Sequence, residues 1–290
     1  MRRIDKNLAR NSAKDNVSVE NIRRILHTRI IGGEMVYLDE TSSTNDEAKK
    51  MADEGAAEGT VIIAGSQSAG RGRLGREWFS PRGGVWMSVI LRPPSIRPLQ
   101  KLTLLAGLSV AKSLRTLYAI DAVLKWPNDV LVGERKICGI LAEGTFQGET
   151  PLFVVVGIGI NANTDPDSLP RGLKTEATSV RKLVRQNVSI DDLIAGILKT
   201  MDTHYDLFLR GEDKELWSEY EGLCTTIGSD VRLECEGATY EGTGRGISPG
   251  GGLILRTRNA KEITILSGDC IHLATKTRKN IKGKVKKLPH

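Results

Sequence analysis

Apolar positions recur along the chain with two periods, one near 3.6 residues and one of two, and these periods divide the chain into elements. Val19, Ile22, Ile25 and Leu26 fall at helical spacing before Gly32 and Gly33 stop them, and MVYLDE follows as a short strand. TSSTNDEAKKMADEG predicts a helix start, with Thr44 as N-cap and Glu47 three residues later completing a capping box; Asp46 adds charge that suits the dipole. Thr60 to Ala64 and Val85 to Pro93 read as buried strands. Pro98 suits the first turn of a helix whose apolar face is Leu99, Leu102, Leu105, Ala106, Val110, Leu114 and Leu117.

The stretch VLKWPNDVLVGERKICGILAEG predicts a strand, a Trp-Pro-Asn-Asp corner, a second strand, a charged turn and a third strand. Leu152 to Asn161 reads as another buried strand, and Ser189 to Leu209 as a capped helix with a shorter helix around Leu216 and Trp217 after it. After Gly222 the texture changes to short strands separated by glycine-rich turns, which predicts a small all-β domain, most simply a barrel. The domains expected are 19–222 and 223–275, between a disordered N-terminus over 1–18 and a basic disordered tail over 276–290.

Two of the predicted strands, Thr60–Ala64 and Val85–Pro93, bracket the most unusual composition in the chain. Gly65 to Gly84 holds six glycines and four arginines. Glycine lets backbone approach a ligand closely, and arginine presents a fork of donors that matches carboxylate or phosphate. Gly70, Gly72 and Gly75 also satisfy the dinucleotide fingerprint G-x-G-x-x-G. That fingerprint needs a helix directly after it, and Pro81, Gly83 and Gly84 forbid one. Gly157, Gly159 and Ala162 make a second incomplete match, again with no helix to follow. The glycine-arginine loop therefore reads as a mobile cationic clamp for an anion, ordered when the anion arrives.

Charge and cysteine content narrow the classes. The net charge is +7, yet seven Lys and Arg with no acid lie between Thr275 and His290, which leaves 35 residues of each sign elsewhere. No cationic excess covers the body of the chain, so specific DNA binding is not expected. Cys138, Cys224, Cys235 and Cys270 form no C-x-x-C and no zinc spacing. Apolar runs fall short of a membrane span and no signal region opens the chain, so the expectation is a cytoplasmic protein with free thiols.

Polar groups cluster in two further places. Ser42, Ser43, Thr44 and Asn45 supply more hydrogen-bonding groups than one helix cap uses, and a helix N-terminus suits a small polar ligand. Lys125 and Asp129 flank the Trp-Pro corner, while Lys136 enters an apolar strand, where a lysine is costly without an acceptor. From residues alone this is a site for an anionic small molecule with its reaction left open.

The motifs themselves resemble a family. STN at Ser43 to Asn45, QSAGRGRLGREWFSP from Gln67, KWPNDV from Lys125, KICGIL from Lys136 and GIGIN ending at Asn161 are similar to the catalytic domain of biotin protein ligases. GTGRGISPGGGLIL resembles their C-terminal segment, and the likeness spans roughly residues 20 to 275. It implies an α+β fold: a mixed-sheet catalytic domain of the biotin/lipoate ligase type and a small SH3-like β-barrel. It implies ATP-dependent formation of biotinyl-5'-adenylate, then transfer of biotin to a lysine of a carboxylase's biotin carboxyl carrier domain.

Carried over by motif, Ser43, Thr44, Asn45, Gln67, Arg71, Gly72, Arg73 and Lys136 would surround biotin. Arg73, Arg76, Trp78, Lys125, Asn128, Asp129, Lys136 and Asn161 would face ATP, with Arg73, Lys136 and Lys125 catalytic and Asp129 a ligand for Mg²⁺. The chain is expected to be a form without the N-terminal DNA-binding domain of some ligases, the resemblance leaves a homodimer open, and no membrane partner is implied. A lipoate ligase or octanoyltransferase, and a biotin-binding regulatory protein, are the alternatives.

Overall fold

The computed structural model describes residues 17–93, 99–148, 150–166, 176–235 and 237–273. The expectations for residues 1–16, Pro98 and 274–290 lie outside them.

Helix α1 (Val19–Ile25) is capped by Ser18, whose side chain accepts from the Asn21 N–H. Strand β1 (Met35–Leu38) and strand β2 (Val61–Ala64) pair in parallel, joined by helix α2 (Thr44–Asp53). Strand β3 (Val85–Leu91), helix α3 (Leu99–Tyr118), β4 (Ala122–Lys125), β5 (Asp129–Val132), β6 (Arg135–Gln147) and β7 (Thr150–Ile160) follow. They complete a seven-stranded sheet of order β1-β2-β3-β7-β6-β5-β4, in which every pair except β1 with β2 is antiparallel.

Every residue of β3 is buried because both faces of the sheet are covered. On one face Val85, Met87 and Val89 join the main core with α3 and with helix α5 (Ile190–Arg210). On the other, Ile62, Ile90 and Val155 pack against Ala48 and Ala52 of α2. Short helices α4 (Val180–Val184) and α6 (Lys214–Leu223) complete the α+β layer. Ser189 caps α5 by accepting from the Asp192 N–H, and Gly211 ends it in the left-handed conformation.

The capping box expected at α2 does not form. The helix begins at Thr44 with Ser43 at the N-cap, and the Glu47 carboxylate accepts from Thr41 Oγ1 instead. Thr44 lies 3.1 Å from Gln67 Oε1 and 2.7 Å from Ser88 Oγ, so tertiary partners occupy the hydroxyl that would have capped the helix.

The last strands, β8 (Asp230–Cys235), β9 (Ala238–Ile247), β10 (Leu253–Thr257), β11 (Glu262–Ile265) and β12 (Asp269–His272), form a five-stranded antiparallel sheet of order β11-β10-β9-β8-β12. Trp126, fully buried, joins it to the first sheet: its N–H donates to Thr226 Oγ1 at 3.0 Å and its indole Nε1 to the Gly251 carbonyl at 3.1 Å.

Candidate functional site

A cavity of about 720 Å³ opens at the end of the seven-stranded sheet where α2, the glycine-arginine loop, the β4–β5 corner and the start of β12 meet. All fourteen residues named from the motifs line it: Ser43, Thr44 and Asn45 on α2, Gln67, Arg71, Gly72, Arg73, Arg76 and Trp78 on the loop, Lys125, Asn128 and Asp129 at the corner, Lys136 on β6 and Asn161 after β7.

The α2 end is a closed polar network. Gln67 Oε1 accepts from the Thr44 N–H at 2.8 Å, and Gln67 Nε2 donates to Ser80 Oγ at 2.8 Å. Ser88 Oγ donates to Asn45 Oδ1, an acceptor only, at 2.6 Å and lies 2.7 Å from Thr44 Oγ1. Asn45 Nδ2 donates to the Leu141 carbonyl at 3.2 Å and to Glu143 at 2.7 Å. Glu143 also accepts from Lys49 at 2.6 Å and lies 3.6 Å from Arg71. Burial works to raise the Glu143 carboxyl, but hydrogen bonds from Lys49 and Asn45 outweigh it and hold the pKa below the ordinary value.

Gly157 explains how Asn45 reaches this depth: a Cβ there would sit 2.9 Å from Asn45 Cγ. Two residues on, a Cβ at Gly159 would lie 2.8 Å from Trp78 Cε2. The indole therefore packs against bare backbone, with Lys136 Nζ 5.1 Å from its ring centroid. Its Nε1 is buried without a hydrogen-bond partner among the described residues. These glycines serve close approach on a strand, which is why their spacing mimicked a dinucleotide turn.

Lys136 faces the cleft because of a bulge. β5 pairs Val130 with Cys138 but Leu131 with Lys136, so Ile137 is extra. A one-residue insertion reverses side-chain direction. Ile137 and Cys138 both enter the core, and Lys136 turns out to meet Asp129 Oδ1 at 2.6 Å.

The glycine-arginine loop makes backbone bonds of its own. It is bonded internally by Gly72 N–H to Arg76 O at 2.7 Å and Trp78 N–H to Gly70 O at 2.8 Å. Its arginines also have partners within the chain. Arg71 makes a bidentate pair with Asp46 at 2.5 and 2.6 Å, and this guanidinium holds the Asp46 carboxyl below its usual range. Arg73 donates to Asn128 Oδ1 at 3.3 Å and to the Gly268 carbonyl at 3.2 Å. Burial draws Arg73 below its ordinary pKa, against the pull of Asp129 and Asp269. Arg76 forks onto both oxygens of Asp269 and lowers that carboxyl.

Asn161 follows β7, its N–H bonded to the Ile137 carbonyl at 3.0 Å. Lys125 reaches the Asp269 end of the cleft, where its charge helps to lower that carboxyl. Reasoning from sequence missed Glu143, Ser88 and Asp269. Glu143 lies just past the KICGIL motif at the end of an apolar run, and Asp269 lies 193 residues from its partner Arg76, so nothing local gave either a partner. Among the described residues no group of three or more His, Cys, Asp or Glu is placed to hold a metal. A lone carboxylate such as Asp129 still fits Mg²⁺ that arrives on phosphate oxygens and keeps its waters.

Residues 37–161 match the model of the biotin/lipoate A/B protein ligase family, and residues 226–273 match the biotin protein ligase C terminal domain. The bifunctional ligase/repressor BirA of Bacillus subtilis is 38% identical over 248 residues, covering 83% of this chain and 75% of that protein. The biotin--[acetyl-CoA-carboxylase] ligase of Mycobacterium tuberculosis is 33% identical over 264 residues, covering 86% and 95%. The structure of biotin protein ligase from Aquifex aeolicus in complex with biotin and ATP superposes with a TM-score of 0.74 at 30% identity, covering 83% of this chain and all of that one. With this cleft, this sheet order and both matched segments in their expected sequence, the chain belongs to the biotin/lipoate A/B protein ligase family.

Proposed function

We propose a division of labour in this cleft for an ATP-dependent biotin protein ligase. The enzyme joins biotin to ATP, forming biotinyl-5'-adenylate and pyrophosphate, and then delivers the biotinyl group to a lysine of a carboxylase's carrier domain. The observation that carries the reading is convergence: residues from five separated motifs line one cavity of about 720 Å³.

The α2 end suits the neutral, hydrogen-bonding head of biotin. Ser43, Thr44, Asn45 and Gln67 offer fixed donors and acceptors there, and Ser88 and Glu143 hold Asn45 in one orientation. The other end suits the reacting groups. In the first step a carboxylate oxygen attacks the α-phosphorus and the bond to pyrophosphate breaks, so negative charge grows on phosphate oxygens.

Arg73 and Lys136, with Lys125 beside them, are cations held in place before reaction, and such cations stabilise the transition state more than the ground state. Asp129 orients Lys136 through the 2.6 Å pair, and Asn128 orients Arg73. Trp78 offers its ring to the nucleotide base, Arg76 faces the phosphates, and Asn161 lines the same end of the cleft. Mg²⁺ carried by the phosphates would meet Asp129 and neutralise part of the departing charge. In the second step the carrier lysine attacks the acyl carbon and AMP leaves. Arg71 and Gly72 close over the adenylate meanwhile, which limits its hydrolysis.

Incubation with biotin, ATP, Mg²⁺ and a carrier domain, followed by mass measurement of the carrier, tests this. One biotinyl group should appear, and lipoate or octanoate in place of biotin should give none. Modification by lipoate with no biotinylation would overturn the reading.

A further inference from the structure

Asp269 opens β12, in the C-terminal sheet, yet it lines the cleft. It takes one cation of the other domain as a direct partner and lies in the field of two more. Arg76 engages both carboxylate oxygens, and Lys125 and Arg73 act on it through space. Arg73 also binds the carbonyl of Gly268, the residue before. One carboxylate therefore holds Arg76, a cation that the nucleotide phosphates need, beside two others.

The pair is poorly protected: the Arg76 side chain is 63% exposed and that of Asp269 29%. Exposed pairs of this kind are weak and screened by salt. A polyphosphate brings several negative charges and more acceptor oxygens to the same donors, so it wins the exchange.

We infer that Asp269 is a built-in stand-in for the polyphosphate of ATP: it holds Arg76 and the glycine-arginine loop in the unliganded cleft and gives Arg76 up when the nucleotide enters. The C-terminal domain thereby sets nucleotide affinity by competition, as a positioning element. This rests on the reading that Arg76 faces the phosphates.

The test is calorimetric titration of the full chain, saturated with biotin, with an ATP analogue whose α,β-bridge cannot be cleaved, in the presence of Mg²⁺. Asp269→Asn and Asp269→Ser should each bind the analogue about two- to five-fold more tightly than the wild-type chain at low salt, the gain expected from removing an exposed competing pair. The gain should vanish near 0.5 M salt, where the Debye length is only a few ångströms. Biotin affinity should not move. A residue that merely braced the loop would give weaker binding on removal.

Unchanged or weaker analogue binding, or failure of both variants to fold, would overturn the inference. Arg76→Gln separates this from the functional reading beneath it. If Arg76→Gln weakens the analogue while the Asp269 variants do not tighten it, the stand-in idea alone fails. If Arg76→Gln changes nothing, the phosphate role of Arg76 fails with it.

Discussion

Gly157 and Gly159 stand two residues apart on one face of β7, and an alanine at each should damage a different substrate. At Gly157 the new Cβ would sit 2.9 Å from Asn45 Cγ; at Gly159 it would sit 2.8 Å from Trp78 Cε2. Carbon contacts settle near 3.5 to 4.0 Å, so each side chain must retreat by roughly 1 Å.

For Asn45 the retreat loosens a 2.6 Å bond to Ser88 and a 2.7 Å bond to the Glu143 carboxylate. Overpacking costs about 1 to 3 kcal/mol and a bond to a charged group about 1.5 to 3 kcal/mol. Biotin binding should weaken by about 10- to 100-fold, or about 1.4 to 2.7 kcal/mol, with the dependence on ATP little changed. For Trp78 the retreat lifts the indole off the sheet, and the same overpacking cost should raise the KM for ATP by about five- to 100-fold with little change for biotin.

Biotin-dependent pyrophosphate exchange, titrated separately in each substrate, reads both effects. A melting curve on each variant confirms that the fold survives. If both alanines shifted the same substrate equally, the assignment of the two ends of the cleft would be refuted.

Arg73→Ala should release biotinyl-adenylate early, detected as free adenylate by chromatography, whereas Lys136→Ala should lower the rate of adenylate formation by two or more orders of magnitude in rapid quench, as expected for loss of a fixed cation; accumulation of free adenylate with Lys136→Ala would reverse the roles. Asp202 on α5 accepts from the N–H groups of Arg29, Ile30 and Ile31 at 2.9, 2.8 and 2.8 Å, so Asp202→Ala, which orphans three partly buried donors, should cost about 3 to 5 kcal/mol in urea unfolding. His204 is buried against Ser109, 2.8 Å away, with Lys112 and Glu219 as its charged neighbours, and burial pushes it from 6.5 down to about 4. The unfolded chain then takes up this proton first as pH falls, so stability should drop between pH 6.5 and 4 by about 3 kcal/mol, and His204→Gln should flatten that dependence in unfolding curves.

Local order was legible in the sequence. The continuous apolar run of β7, the apolar face of α3, and the Ser189 cap of α5 are set within a few residues, which spacing alone reports. The members of the cleft were legible too, because motif residues sit at element ends that the sheet brings to one edge.

What held those members in place was not legible. The pairing of β3 with β7 closes across more than sixty residues, and it puts Gly157 beneath Asn45 and Gly159 beneath Trp78. The sequence already set the nucleotide turn aside for want of a following helix, but only the sheet showed what lay above these glycines. The bulge at Ile137 turned Lys136 from the core toward Asp129, a reversal that depends on strand register and leaves no trace in composition.

The loop arginines were read from sequence as waiting for an anion, because their electrostatic character is written in residue type. Their partners Asp46, Glu143 and Asp269 come from three other elements and became visible only in the folded chain. Charge and periodicity are properties of residues and their near neighbours, so the sequence determined the elements and the chemistry they carry. Register, close approach and the neutralisation of each charge are properties of pairs far apart in the chain, and only closure of the tertiary structure decided them.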